Sequence, residues 1–308
     1  MTNTHAHEHH GHTAGHHSHD SHGSDDSHGA AGEGMTDLLE LDGEVLQDYW
    51  SAALDWVSDA AAESGPRRLL DLGAGTGTGA IGLAQRFPGA EVIAVDVEPG
   101  SLELLRDKAA GLGLGDRVRA VAANLDEGWP DLGVLDVTWA SMSLHHLADP
   151  GRVLGEVLAA TRPGGLIAVA EFAEQLRFLP DDLGFGRPGF EDRMASVRAA
   201  AHAEMMPTLG SEWAPRLADA GWEVTGEREF VIDLRPPADS PGRAGNAGEY
   251  ARVWFDRLSR GLADGLDPDD RATLAALLDR GGQHFVRDRG DLWLRGSRTV
   301  TLGRRLDD

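Results

Sequence analysis

The stretch Leu69-Leu70-Asp71-Leu72-Gly73-Ala74-Gly75-Thr76-Gly77-Thr78-Gly79-Ala80-Ile81 decides the fold. An apolar run closes on an acid, glycine then occupies every second position, and helix-forming residues resume near Thr78. This order reads as a strand ending at Asp71, a tight turn and a helix, with glycines permitting the turn and the close approach of a ligand. A carboxylate facing such a turn repels a pyrophosphate and attracts an ammonium or sulfonium, so a cationic, nucleotide-like ligand is expected. Residues 77–82 also satisfy a dinucleotide fingerprint, but they begin past the turn, where their glycines are misplaced for a pyrophosphate. Gly82 is expected to let the helix approach the sheet.

Working outward, short apolar runs at 69–72, 92–95, 118–122, 134–139 and 166–170 alternate with helical patterns at 79–86, 101–110 and 152–161. Strand and helix in alternation imply βαβ units and a parallel sheet covered by helices on both faces. Asp149-Pro150 caps one helix and Pro163-Gly164-Gly165 stops it. Residues 35–62 place apolar side chains at spacings of three and four, which predicts one amphipathic helix ahead of the core. Beyond Phe172 the pattern predicts a loop at 180–188, helices at 192–206 and 212–220 and a strand at 227–234. A loop at 236–248, helices at 249–262 and 269–280 and a last strand at 298–302 complete the chain.

Composition narrows the chemistry. The 308 residues are 41% apolar and carry 51 acidic against 28 basic side chains, a formal charge of −23 that repels nucleic acid. Cysteine is absent, which removes thiolate nucleophiles, disulfides and Cys-ligated metals. No run approaches the ~20 apolar residues of a membrane span and no secretory signal is evident, so a cytoplasmic protein is expected. Lys108 is the only lysine; in a charged helical stretch it is expected to be solvated.

Residues 1–34 are Gly, Ser, Asp and His with little to bury, and are expected to form a disordered His-rich tail. His5, His7, His9, His10, His12, His16, His17 and His19 offer imidazoles to Ni²⁺ or Zn²⁺. The other reading is a solvated tail without a role.

The quoted turn resembles the first motif of the class I S-adenosylmethionine-dependent methyltransferases, an acid followed by Gly-x-Gly-x-Gly. Further motifs follow in order: Asp96 with Val97 after the second strand, Asn124-Leu125 after the third, residues 137–147 through Ser141 at the fourth and 158–166 at the fifth. The resemblance covers about 69–171 and is closest to the ubiquinone and menaquinone biosynthesis branch of small-molecule methyltransferases. It implies an α/β, doubly wound Rossmann-like sheet of seven strands, the last antiparallel. The implied domain is 35–308, with a cofactor-binding core at 66–172 and helical substrate or lid segments at 173–226 and 236–297.

The resemblance implies S-adenosylmethionine as cofactor, held by Asp71, Gly73, Ala74, Gly75, Thr76, Gly77, Asp96, Val97, Asn124, Leu125 and Ser141. Asp96 would accept the ribose hydroxyls; Asn124, or Asp126 in its place, would meet the adenine amino group. An oxygen or carbon nucleophile needs a base, and His145 in the loop after the fourth strand is a candidate, with packing of the His145-His146 loop as the other reading. Adjacent residues point different ways, so one of the two histidines at most is expected to face substrate. Glu171 reaches the same edge and is the second catalytic candidate.

Tyr49, Trp50, Phe185, Phe190, Met205, Met206, Trp254 and Phe255 are candidates for the acceptor wall, and Arg187 or Arg193 for its entrance. The expected function is methyl transfer to a small-molecule acceptor, with no nucleic-acid or membrane partner and homodimerisation through the late helices left open. Two other readings stand: a catalytically silent cofactor- or metal-binding protein, and an NAD-dependent dehydrogenase.

Overall fold

The computed structural model describes residues 26–203, 206–235, 241–262 and 265–307. The apolar runs form strands, those of β1, β2 and β4 buried on both faces and that of the edge strand β3 only partly buried. β1 (Arg68–Leu72), β2 (Glu91–Asp96), β3 (Val118–Ala122), β4 (Leu135–Ser141) and β5 (Thr161–Arg177) run parallel. β7 (Leu294–Arg304) lies antiparallel between β5 and β6 (Glu223–Leu234), giving one seven-stranded sheet in the order β3-β2-β1-β4-β5-β7-β6.

Alternate strand residues serve two cores, as the pleat requires. Leu69, Val92, Val137 and Leu166 pack with α2 (Gln47–Ala61), α3 (Thr78–Arg86) and α4 (Pro99–Gly111). Leu70, Ile93 and Val169 pack with α5 (Pro150–Ala160) and α7 (Trp213–Asp219). The Asp149 side chain caps α5 by accepting from the Arg152 N–H at 2.9 Å. α6 (Phe190–His202), α8 (Pro241–Leu262) and α9 (Pro268–Leu278) contribute Met194, Phe255 and Leu277 to the first core.

Several expectations are corrected. The leading segment is two helices: α1 (Asp26–Val45) breaks at the buried Leu46, whose ψ of 29° leaves the helical region. Gly82 makes room for another helix rather than for the sheet, since a Cβ there would lie 2.4 Å from Leu54 Cδ1 of α2; Gly79 is the glycine against the sheet, at Trp139. Val134 is 64% exposed and precedes β4.

The segments expected to be helical are partly sheet. β5 and β7 pair as far as Arg177 with Arg295, so the lid helices pack on a sheet extension. α8 starts at Pro241, where a missing N–H costs nothing, so residues 241–248, expected as loop, are helical. Lys108 is not simply solvated: its Nζ lies 2.7 Å from Glu40 Oε1 and donates to the Thr76 carbonyl at 2.9 Å, tying α1 to the glycine turn.

The tail histidines read as metal ligands lie outside the described residues. Among the described residues no group of three or more histidines and carboxylates is arranged to hold a metal, and no helix is long and apolar enough to cross a membrane.

Candidate functional site

Strand order reverses between β1 and β4, and the crevice at their carboxyl ends is where open α/β sheets bind ligands. Residues 73–77 turn across it. Gly73 (φ 71°) and Gly77 (φ 90°) occupy the left-handed region, and a Cβ on Gly73 would fall 2.3 Å from Ser143 Cβ. Ser143 is itself fixed by its Oγ, which donates to the Leu72 carbonyl at 2.8 Å. α1 forms another wall, with Leu39 Cδ1 2.9 Å from where a Gly75 Cβ would stand.

Four of the turn's five amide groups are already committed. Gly73 and Ala74 N–H donate to the Val95 carbonyl at 2.8 and 2.9 Å, Gly75 N–H to Asp96 Oδ2 at 2.7 Å, and Gly77 N–H to the Ala74 carbonyl at 2.9 Å. A pyrophosphate needs such N–H groups free, so the turn suits a nucleoside without phosphates. Asp96 also accepts the Glu98 N–H at 2.9 Å. Two backbone donors thus orient a carboxylate that retains lone pairs for hydroxyl groups. Val97 beside it is 57% exposed and offers an apolar surface, and Thr76 is buried beneath the turn.

Asp71 faces differently from the sequence expectation. It is 2% exposed, and Gly79 in the first turn of α3 leaves room for its Oδ2. Its carboxyl is pushed up to about 7 by burial, with the Asp96 charge adding and the Ala80 N–H opposing. Oδ2 has no hydrogen-bond partner. Asn124 is exposed and its Oδ1 accepts the Asp126 N–H at 3.1 Å, while Asp126 Oδ1 accepts the Ala148 N–H at 3.0 Å, joining two loops of the crevice. Leu125 is buried below them.

His145 and Glu171, read separately from the sequence, meet. His145 Nδ1 lies 2.6 Å from Glu171 Oε2, and both residues are about 5% exposed. The two histidine rings do not diverge as expected: His145 and His146 lie with centroids 4.2 Å apart and planes tilted by 40°, with Phe172 5.9 Å from His145. Desolvation first, then the charges of His145, Arg257 and His202, push His146 down to about 4, so it is neutral at pH 7. Met142, in the turn leading to His145, has φ of 54°, a strained value for a side-chain-bearing residue. Three buried polar atoms in this region make no hydrogen bond of good geometry: Glu171 Oε1, and Ser141 Oγ and Tyr49 Oη, which are close enough to interact with each other. Buried groups of this kind are normally satisfied, and a ligand can supply what they lack.

The acceptor-wall candidates divide. Phe190 is core, Phe185 stacks on His284 at 3.8 Å, and Met205 lies outside the described residues. Met206 is half-buried just beyond α6. Trp50 donates to Asp42 Oδ2 at 3.0 Å, whereas Trp254 and Phe255 line a cavity. Arg187 and Arg193 are both neutralised by Asp270, at 3.0 and 2.7 Å, so neither is a free entrance cation.

Sequence reasoning missed two elements. One is the buried pair of Asp42 and Arg298, with Tyr250 Oη donating to Asp42 at 2.7 Å and Arg298 4.7 Å over the Tyr49 ring. The other is Arg198. Its signal was present: Phe190, Met194, Arg198 and His202 recur every four residues, so an arginine occupies the inward stripe of α6.

Residues 70–167 match a family model described as a methyltransferase domain. A demethylmenaquinone methyltransferase of Thermus thermophilus is 40% identical over 115 residues, covering 37% of this chain and 51% of the relative. A malonyl-[acyl-carrier protein] O-methyltransferase of Laribacter hongkongensis is 35% identical over 160 residues, 50% of this chain and 49% of the relative. The chain thus spans about half the length of the curated relatives it matches. A crystal structure of a candidate methyltransferase from Bacillus halodurans superposes with a TM-score of 0.53 at 17% identity, covering 83% of this chain and all of that one, a likeness of fold. Residues 70–167, which carry the glycine turn, are thus similar to a methyltransferase domain, and the seven-stranded sheet around them shares the fold of a methyltransferase structure.

Proposed function

We propose that the protein transfers a methyl group from S-adenosylmethionine to a small-molecule acceptor, with His145 as general base. The observation that carries this reading is the His145–Glu171 pair at the same sheet edge as a glycine turn whose amides leave no phosphate cradle. Residues 73–77 would admit the cofactor, Asp96 would accept its ribose hydroxyls, and Val97 and Asn124 would border the adenine. Asp71 acts from beneath the turn as an electrostatic partner for a cation. When bound, the cofactor supplies a methyl group already activated by its sulfonium.

The protein's own work is alignment and proton removal. Glu171 accepts a hydrogen bond from the His145 Nδ1–H and so presents Nε2 as the basic nitrogen, a tautomer assigned from the hydrogen-bond geometry. Nε2 then takes the proton of the acceptor's nucleophilic atom. Ser141 Oγ, Tyr49 Oη and Glu171 Oε1, which make no hydrogen bond of good geometry, are available to position that acceptor. Burial excludes the water that would compete.

The two relatives' names specify different acceptors, so the acceptor here is read from this chain's own lid. The test is incubation with S-adenosylmethionine and a metabolite extract. Release of S-adenosylhomocysteine with a product one CH₂ heavier supports the reading. A protein that binds neither cofactor form and makes no such product removes it.

A further inference from the structure

A cavity of about 430 Å³, partly open to solvent, lies between the β5 extension, β7, α6 and α8, within the size range of small-molecule sites. Met194, Trp254, Phe255 and Leu258 give it an apolar wall, and Arg198 stands in that wall. Arg198 is only 9% exposed, and its guanidinium lies 5.0 Å from the centre of the Trp254 ring. Among the described residues its hydrogen-bond partner is the neutral Gln175 Oε1, and no carboxylate is in ion-pair contact with it. A guanidinium carries five N–H donors in a planar fork that matches a carboxylate, and burying it without a counter-charge is costly.

The other charges of the cavity are spoken for. Arg177 pairs with Asp192, and Arg295 with Asp181 at 3.0 Å. Glu191 accepts the Phe178 N–H at 3.0 Å and the Leu179 N–H at 2.8 Å, so its oxygens are turned to the backbone. Burial pushes its carboxyl up to about 7, against those two N–H groups and the charges of Arg295 and Arg177, which leaves part of the population uncharged near neutrality. Glu174 also borders the cavity but is exposed to solvent. Burial likewise pushes the Arg198 guanidinium down, with the Glu191 charge alone opposing.

We infer that this cavity is the acceptor pocket and that Arg198 anchors a carboxylate on an acceptor with an apolar body. The inference rests on the methyl-transfer reading and adds the substrate class. His202 lies one turn further along α6, roughly 6 Å from Arg198 along the axis, and Arg198 and His145 both contribute to the field at its ring. The His145–Glu171 pair lies outside the cavity lining, so an acceptor held by its carboxylate at Arg198 has to reach past His202 to meet that pair, and Arg198 acts as a specificity-determining residue.

The test is calorimetric titration of the full chain with octanoate and 4-phenylbutyrate, and with the amide of each acid, which keeps the shape and removes the charge. At least one acid is expected to bind at least tenfold more tightly than its amide. That preference is lost in Arg198→Met and largely kept in Arg198→Lys, whose folding is checked by circular dichroism. Amides that bind as well as the acids, unchanged acid affinity in Arg198→Met, or no binding of either acid to the wild-type chain overturns the inference. The comparison of acid with amide needs no variant, so it decides even if Arg198→Met fails to fold. S-adenosylhomocysteine titrated in parallel separates the two readings. Acid binding without it leaves the anion pocket standing and removes methyl transfer, whereas its binding without either acid overturns the pocket alone.

Discussion

His145 Nδ1 and Glu171 Oε2 stand 2.6 Å apart although 26 residues separate them in the chain. The parallel pairing of β4 with β5, with Ser141 opposite Ala170, brings the loop after one strand beside the end of the other. The carboxylate fixes the ring and its tautomer in a setting from which water is nearly excluded. If Nε2 is the base, His145→Ala lowers kcat by roughly 10²–10⁴-fold and leaves S-adenosylhomocysteine affinity within about twofold. Glu171→Gln, which keeps the shape but not the charge, lowers kcat less. Steady-state kinetics with calorimetry checks both, and kcat unchanged in His145→Ala excludes the role.

Gly73→Ala tests the turn. The new methyl would fall 2.3 Å from Ser143 Cβ on a backbone held at φ 71°. Neither side can yield cheaply, because Ser143 is tied to the Leu72 carbonyl. A loss of about 1–3 kcal/mol of stability is expected from overpacking alone, with cofactor affinity falling at least tenfold. Urea denaturation and titration with S-adenosylhomocysteine measure the two effects.

The buried ion pair of Asp42 and Arg298 joins the end of α1 to β7. Arg298→Met leaves a carboxylate with only Trp50 and Tyr250 as donors, and the expected cost is about 3–5 kcal/mol. Burial alone would raise the Asp42 carboxyl, but the charge and hydrogen bonds of Arg298, with those of Tyr250 and Trp50, hold it below its ordinary value. A depressed carboxyl contributes its stability above the unfolded pKa and loses it as pH falls through the folded value. The contribution is therefore whole at pH 7 and begins to be lost only below about pH 4. Urea midpoints of wild type and Arg298→Met should lie closer together at pH 3 than at pH 7.

Asp71 carries the opposite sign. Its folded carboxyl, pushed up to about 7 chiefly by burial, binds a proton that the unfolded chain has already released between about pH 4 and 7. Stability from this group is fullest below pH 4 and declines as pH rises to 7. Asp71→Asn imitates the protonated side chain, so it should match wild type near pH 4–5 and exceed it in stability at pH 8. Thermal unfolding at the two pH values checks this. The same variant should bind S-adenosylmethionine more weakly at pH 8, because the negative charge is gone.

The parallel core was legible because its signals are local. Five apolar runs separated by helical patterns can be satisfied by little other than a covered parallel sheet, and the alternating glycines describe a turn that side chains would block. Asp96 was legible for the same reason, since its place after the second strand puts it beside that turn. Arg198 sits on a helical stripe that the sequence also displays, but nothing along the chain says what faces the stripe. The leading helix read as continuous because its apolar spacing persists through Leu46, while the backbone turns there with the hydrogen bonds on either side intact, Leu46 N–H to the Asp42 carbonyl and Trp50 N–H to that of Leu46.

By itself, then, the sequence determined the sheet, the glycine turn and the acids beside it, since each depends on spacings of a few residues and on which backbone conformations those residues allow. Tertiary structure alone decided that His145 meets Glu171, that Asp42 meets Arg298 across 256 positions, and that Arg198 faces a cavity where, among the described residues, no carboxylate is in ion-pair contact with it. Those outcomes depend on which elements become neighbours. Packing, strand order and the cost of burying charge set them, and no run of consecutive residues encodes them.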